Sequence, residues 1–350
     1  MEQFRDMEKS RKIYIDIIKI VAILLVIFNH TGGSGFLAYQ KQGNIYIQII
    51  EMCITSFCKI AVPLYFMCSG ALLLGKNEDI KELLRKRVLK YIIIIIIFTV
   101  LYYIILSFRD GGKIDINWIL RTIYTSTTFS FSGAYWFLYA YISFLIMLPL
   151  LKIIAQNITG EVLKYILGIY AVFGGILPIF EKFIGLGGIA ISIPIVSYQT
   201  IFYPLLGYCI DQNLIIENET KEQKIIGLMA LISIISSVSL TLISFKHGEV
   251  SETYYTLLGG FVTIFTFFMM KKICEKRQYK FGKRKKETIR WISNCTFGIF
   301  LLHGYAFMII NEVLNQNRYY EAWIKVICVF VISLLATSVL KKIPVINRFI

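Results

Sequence analysis

The chain has 350 residues, 57% of them hydrophobic and 15% aromatic, which is far above the apolar share of a soluble globular domain and excludes that class. The net charge of +15 does not point to nucleic acid, because Lys and Arg in the short loops of a membrane protein are first of all topology signals. No stretch outside the apolar runs is long enough to fold separately, so an all-α, polytopic membrane protein with one domain over 1–350 is expected.

Apolar runs near the ~20 residues needed to cross a bilayer occur at roughly 13–31, 52–74, 88–107, 134–155, 162–180, 189–210, 225–245, 254–272, 290–311 and 322–343. About ten transmembrane helices follow. The sixth is interrupted by Pro194 and Pro204 and has an alternative start near Val196. With the N-terminus placed inside, roughly 27 Lys and Arg fall on the inner side against about 7 outside, as the positive-inside rule requires. Both termini are then cytoplasmic. The first run lacks a small-residue cleavage site and reads as a retained signal-anchor.

Helix one reads Tyr14-Ile-Asp16-Ile-Ile-Lys19 and ends Asn29-His30. Asp16 and Lys19 are neighbours at i,i+3, whereas Lys19 and His30, eleven residues apart, return to one face about 16 Å from each other. Lysine snorkelling and an interfacial histidine are the bland readings, and the shared stripe argues against them. Helix two carries Lys59 near its outer end, Pro63 as a bend, and Ser69-Gly70 toward its inner end. A lysine inside an apolar span needs water, a partner or a ligand, so either a cavity or tight helix packing is implied.

The segment "LLRKRVLKY" then places Arg85, Arg87 and Lys90 at the cytoplasmic mouth, as topology signals or as forks for phosphate. In helix four, "GAYWFLYAY" holds Trp136 and Tyr139, which an interfacial aromatic belt would explain equally well. The tract "KKICEKRQYKFGKRKKETIR" (271–290) is the one long charged loop expected, a topology determinant with affinity for anionic lipid or for a phosphorylated cofactor. Helix nine brings His303 into the outer half of the membrane, within reach of His30. His247, beside Lys246 in a short outer loop, is expected to be solvated. Cys53, Cys58, Cys68, Cys209, Cys274, Cys295 and Cys328 lack zinc or disulfide spacing, and no metal site is expected.

Together these stretches resemble acyltransferase family 3, the bacterial membrane acyltransferases that decorate cell-surface sugars, over nearly the whole chain. The basic residue, ten-residue spacer and histidine are met by Lys19 and His30, preceded by Asp16. The second-helix pattern appears as Pro63-Leu-Tyr65-Phe-Met-Cys-Ser69-Gly70, with Lys59 where an arginine is common. Arg87 keeps the basic cluster while Lys90 stands in its second arginine position, and "WFLY" (136–139) and "FGIFLLH" (297–303) complete the set.

The resemblance implies transfer of an acyl group, commonly acetyl, from cytosolic acyl-CoA as co-substrate to a hydroxyl of an extracytoplasmic or lipid-linked glycan, with no permanently bound cofactor. On that basis His30 is assigned to catalysis, with Lys19 and Asp16 completing the catalytic set and Lys19 placing the cofactor. Arg85, Arg87, Lys90 and Ser69 are assigned to CoA. Lys59, Tyr65, Trp136, Tyr139 and His303 are assigned to the acceptor substrate. The implied setting is a bacterial plasma membrane, with the bilayer, the glycan and other surface-polysaccharide assembly proteins as partners. Some members carry a fused hydrolase-like domain with a serine nucleophile. Here transfer is expected within the membrane domain or with a separate partner. Transport of a polysaccharide or small polar solute on the same fold is the competing expectation.

Overall fold

The computed structural model describes residues 11–41, 43–109, 115–128, 135–178, 180, 191, 193–214, 219–246, 253–277, 280–314 and 319–350. Among these residues the regular structure is entirely helical. Helix α1 (Ile13–Asn29) is the hub. It packs against α3 (Ala61–Leu73), α12 (Thr253–Arg277), α13 (Lys283–Val313) and α14 (Tyr319–Leu340). Ile15, Ile18, Ile23 and Ile27 are fully enclosed there, so α1 is apolar because protein surrounds it on several sides, not because one stripe meets lipid.

Among the described residues six helical stretches are long and apolar enough to cross a membrane: Ile45–Leu73, Ile80–Ile105, Trp136–Asn157, Lys221–Lys246, Lys283–Val313 and Tyr320–Leu340. The other four apolar runs correspond to α1, to α8 (Gly160–Ile169) continued by a π-helical stretch Tyr170–Ile176, to α10 (Gln199–Asp211), and to α12. The sixth run takes the later of its two starts. Pro194 opens a single turn, α9 (Pro194–Ser197), and α10 begins after it, as proline's preference for a first helical turn dictates. Residues 181–190 and His247 lie outside the described residues.

The second span starts earlier than its hydropathy suggests. Asn44 caps α2 (Ile45–Cys58) by accepting from the backbone N–H groups of Tyr46 and Ile47. The helix then breaks at Lys59–Ile60, before α3. Pro63 explains the place, since its ring clashes with the carbonyl of the residue four positions back, Lys59. The amide of Asn29 donates to the Cys58 carbonyl at 3.0 Å, which supplies a bond at the interruption.

The following span begins with α4 (Ile80–Glu82), widens to a π-helix over Leu83–Val88, and continues as α5 (Leu89–Arg109). A short helix, α6 (Ile116–Thr128), packs on α5. It was not expected, being too short to span a bilayer, although Asp115 marks its start by accepting from the Trp118 N–H. The expected charged loop at 271–290 is corrected: α12 runs to Arg277 and α13 begins at Lys283 after Gly282. Lys and Arg are good helix formers, so the basic residues extend two helices in place of a loop.

Helices α3 and α10 approach at backbone distance. A Cβ added to Gly70 would overlap the backbone of Pro204, and one added to Gly207 would overlap the backbone of Met67. Helix α7 (Trp136–Asn157) packs on both α10 and α3, and α11 (Glu219–Lys246) packs on α12. All seven cysteines are free thiols.

Gly70→Ala is expected to lower the unfolding midpoint in detergent by the equivalent of about 1–3 kcal/mol. Gly168→Ala, where an added Cβ meets nothing within 4 Å, is expected to be neutral or to gain up to ~1 kcal/mol. Thermal unfolding of the two variants in parallel decides the point; equal losses would refute the backbone contact.

Candidate active site

Two cavities lie at opposite ends of α1. The first, about 390 Å³, is lined by Asn29 and His30 from the end of α1, Lys59 and Pro63 from the α2–α3 break, Trp136 from α7, and Gln199, Tyr203 and Thr263 from α10 and α12. His30 is the first residue past α1, its N–H bonded back to the Ile27 carbonyl and the next N–H, of Thr31, to that of Phe28. The ring is thereby released from the helix and opens on the cavity. Lys59 resolves toward the cavity reading: its ammonium sits 4.5 Å from the centre of the Phe36 ring, a cation–π position. Asn29, whose amide serves Cys58, has a buried carbonyl oxygen without a protein partner.

His303 stands behind His30, their ring centroids 5.0 Å apart. It is 1% exposed and forms no part of the cavity wall. Its Nδ1 bonds the carbonyl oxygen of Phe300, which can only accept, so in the neutral ring Nδ1 carries the proton and Nε2 is a bare acceptor. That Nε2 has no hydrogen-bond partner. Aimed among apolar groups, it would cost desolvation without return; beside it stands the His30 ring.

The second cavity, about 320 Å³, lies toward the start of α1. Lys19, Tyr65, Ser69, Arg87, Tyr91 and Tyr141 line it, with Ser293, Asn294 and Thr296 from α13. Three expectations about this end are corrected. Asp16 does not pair with Lys19: Arg11 grips it with two bonds of 2.8 Å and Ser293 donates a third at 2.7 Å. Tyr65 belongs here and not with His30, its hydroxyl donating to the Lys19 carbonyl at 3.2 Å, because two residues past Pro63 it projects from the opposite side of α3. Of the basic cluster only Arg87 reaches the cavity, held by Glu78 through Nε at 2.9 and 3.0 Å.

Arg85 is exposed on another face of the π-turn and Lys90 is half-buried outside both cavities. Tyr139 lies outside both as well, since on α7 it projects about 60° from Trp136 at three residues' spacing. Ser69 lines the wall but spends its hydroxyl on the Tyr65 carbonyl at 2.9 Å. Lys19 therefore faces a polar cavity with no carboxylate bound to it among the described residues, and Arg87 adds a second cation. Arg87 shares its charge with Glu78, so the ammonium of Lys19 is the charge that favours an anion in this partly enclosed site.

The wall residues Asn29, Gln199, Tyr203, Asn294 and Thr296 were not anticipated. Only Asn29 left a sequence signal, standing beside His30 in an otherwise apolar helix; the rest come from helices whose facing cannot be read without the fold.

The geometry thus leaves an all-helical domain with His30 opening on one cavity past the end of its central helix and Lys19 lining a second cavity toward the start. The family model of the acyltransferase domain, acyltransferase family 3, matches residues 12–342, and the chain belongs to that family. It is a membrane acyltransferase. No curated protein and no solved structure gives a further match.

Removing charges tests which of them hold the fold. Asp16→Asn should destabilise the protein by roughly 1.5–3 kcal/mol, as it weakens charged hydrogen bonds to Arg11 and Ser293. Lys19→Met should leave stability within about 0.5 kcal/mol of the parent. A Lys19→Met loss as large as that of Asp16→Asn, read by thermal unfolding, would show that Lys19 is structural.

Proposed function

We propose that the protein moves an acyl group, acetyl in the simplest case, from cytosolic acyl-CoA to a hydroxyl of an extracytoplasmic or lipid-linked glycan. It would do so as a ten-span protein of a bacterial plasma membrane with both termini cytoplasmic. The observation that carries this reading is the division of α1: Lys19 with Arg87 in one cavity, His30 with Lys59 in the other. Phosphates of the donor suit the first pair. A hydroxyl acceptor suits the second, where a neutral imidazole can take its proton.

In this mechanism the acceptor hydroxyl gives its proton to His30 as its oxygen attacks the thioester carbonyl. The tetrahedral oxyanion collapses, the C–S bond breaks, and the departing thiolate takes the proton from His30. The products are the O-acyl ester and free CoA, and the enzyme returns to its starting state. Lys59 and the cavity's polar wall favour the oxyanion electrostatically. His303 is assigned as a positioning residue: its bare Nε2 faces a His30 ring 5.0 Å away and would take the His30 N–H as the acceptor binds, turning the other His30 nitrogen's lone pair to the hydroxyl, as an orienting partner does in other transfer sites. Lys19, about 16 Å from His30 along the helix, acts on the donor's far end, not on the reacting atoms.

Proteoliposomes supplied with labelled acetyl-CoA on the face of Lys19 and Arg87 should label a glycan acceptor, and His30→Ala should reduce the rate roughly 10²–10⁴-fold. Normal labelling by that variant would remove His30 from the mechanism, and solute flux independent of label would support transport in its place. His303→Leu should lower kcat by ~10²-fold at unchanged KM, with His303→Gln recovering part of it through its amide oxygen; equal kcat in all three proteins would refute the positioning role.

The two arginines should separate. Arg87→Met is expected to raise KM for acyl-CoA about tenfold or more, the loss of a charged phosphate contact, while Arg85→Met leaves it unchanged. Steady-state kinetics across acyl-CoA concentration reads the difference, and identical effects would overturn the assignment of Arg87.

A further inference from the structure

Among the described residues that line the two cavities, only Phe137 and Phe300 belong to both. Their rings meet edge to face, centroids 5.4 Å apart and planes at 69°, and both are almost wholly enclosed, at 8% and 6% exposure. The pair is therefore the partition between the cation-lined cavity and the histidine cavity. Each ring is held differently. Phe137 sits in an aromatic nest with Phe66 at 5.4 Å, Tyr141 at 5.7 Å and Tyr65 at 5.9 Å. Phe300 packs on His303 at 5.6 Å and bonds the same histidine through its carbonyl.

We propose that Phe137 and Phe300 determine which acyl chains the enzyme accepts, by forming the aromatic slot through which the acyl end of the donor must pass to reach His30. The inference rests on the acyl-CoA reading above. A donor anchored at Lys19 and Arg87 enters from the second cavity, while the acceptor hydroxyl waits in the first; the thioester carbon has to meet that hydroxyl at the partition. An acetyl group needs room for one methyl beyond the carbonyl. Every further methylene must displace a ring that is packed on its other side, so the partition favours short acyl groups. The same arrangement keeps the donor's charged portion out of the acceptor cavity, since an edge-to-face pair of phenyl rings offers a phosphate no hydrogen bond.

The test uses the full chain in proteoliposomes, with acetyl-, butyryl- and hexanoyl-CoA as donors. The parent is expected to lose about 10²-fold or more in kcat/KM for each two carbons added, since an apolar pocket discriminates each methylene by roughly tenfold or more. Phe300→Ala and Phe137→Ala should raise the hexanoyl-to-acetyl ratio of kcat/KM by about tenfold or more. Phe300→Leu and Phe137→Leu, which keep an apolar side chain of intermediate size, should shift the ratio in the same direction by less and serve where the alanine variants do not fold. A parent that uses hexanoyl-CoA as well as acetyl-CoA, or a ratio unmoved in every folded variant, overturns the slot while leaving the acyl-CoA reading intact. A parent that transfers none of the three acyl groups overturns that reading and this inference with it.

Discussion

The bidentate bond between Arg11 and Asp16, completed by the hydroxyl of Ser293, is the interaction on which the rest depends. A carboxylate 3% exposed must be answered by charge and hydrogen bonds or it will not stay buried. Here it is answered from the segment before α1 and from α13, which binds the start of the central helix to the helix that also carries His303. A second buried carboxylate, Asp211 at the end of α10, takes Lys12 at 2.6 Å and Tyr14 at 2.5 Å. Lys271 closes the same helix end by donating to the carbonyls of Ile210 and Asp211, as a cation at a helix C-terminus should. Among the described residues these carboxylates are engaged by other cations, and none is paired with Lys19.

At the other end of α1 the geometry is set by proline and glycine. Pro63 moves the break in the second span back to Lys59, which lets that lysine turn toward the cavity instead of following a straight helix into lipid. Gly70 and Gly207 bring α3 and α10 together at backbone contact, and the side chains that follow from that register are Tyr65 and Ser69 in one cavity and Gln199 and Tyr203 in the other. Small residues at such crossings are the membrane's substitute for hydrophobic driving force between helices. The pattern Pro63 to Gly70 is thus a packing device and a site device in eight residues.

The fold class was legible because the bilayer imposes a length and a polarity that a hydropathy count can find, and the helix ends mostly fell within a few residues of the runs. Position along a single helix was legible: Lys19, Lys59 and Ser69 line cavities, and His30 does so from just past the end of α1. What crossed between helices was not. Asp16 follows the i,i+3 rule with Lys19 in isolation, but a better-placed guanidinium five residues earlier won it, and no spacing rule weighs those two competitors. Tyr65 is two residues from Pro63 in sequence and faces the opposite cavity, because 100° per residue sends them to different sides of α3. Phe137 and Phe300 carry no polar atom and were hidden among 26 phenylalanines; only the shape of the cavities singles them out.

Separating the two charged ends along one helix has an electrostatic consequence. At an effective dielectric near 20, unit charges ~16 Å apart interact by only about 1 kcal/mol, less than the step that separates protonated from neutral by one pH unit. Binding an anion at Lys19 therefore changes the charge environment of His30 little. Lys59, in the same cavity as His30, is close enough to act on an oxyanion formed there. On the acyl-CoA reading proposed above, the long reach of α1 would let one protein hold a highly charged donor and a base without either dictating the state of the other. A site with both groups in a single cavity would require the base to function against every charge the donor brings.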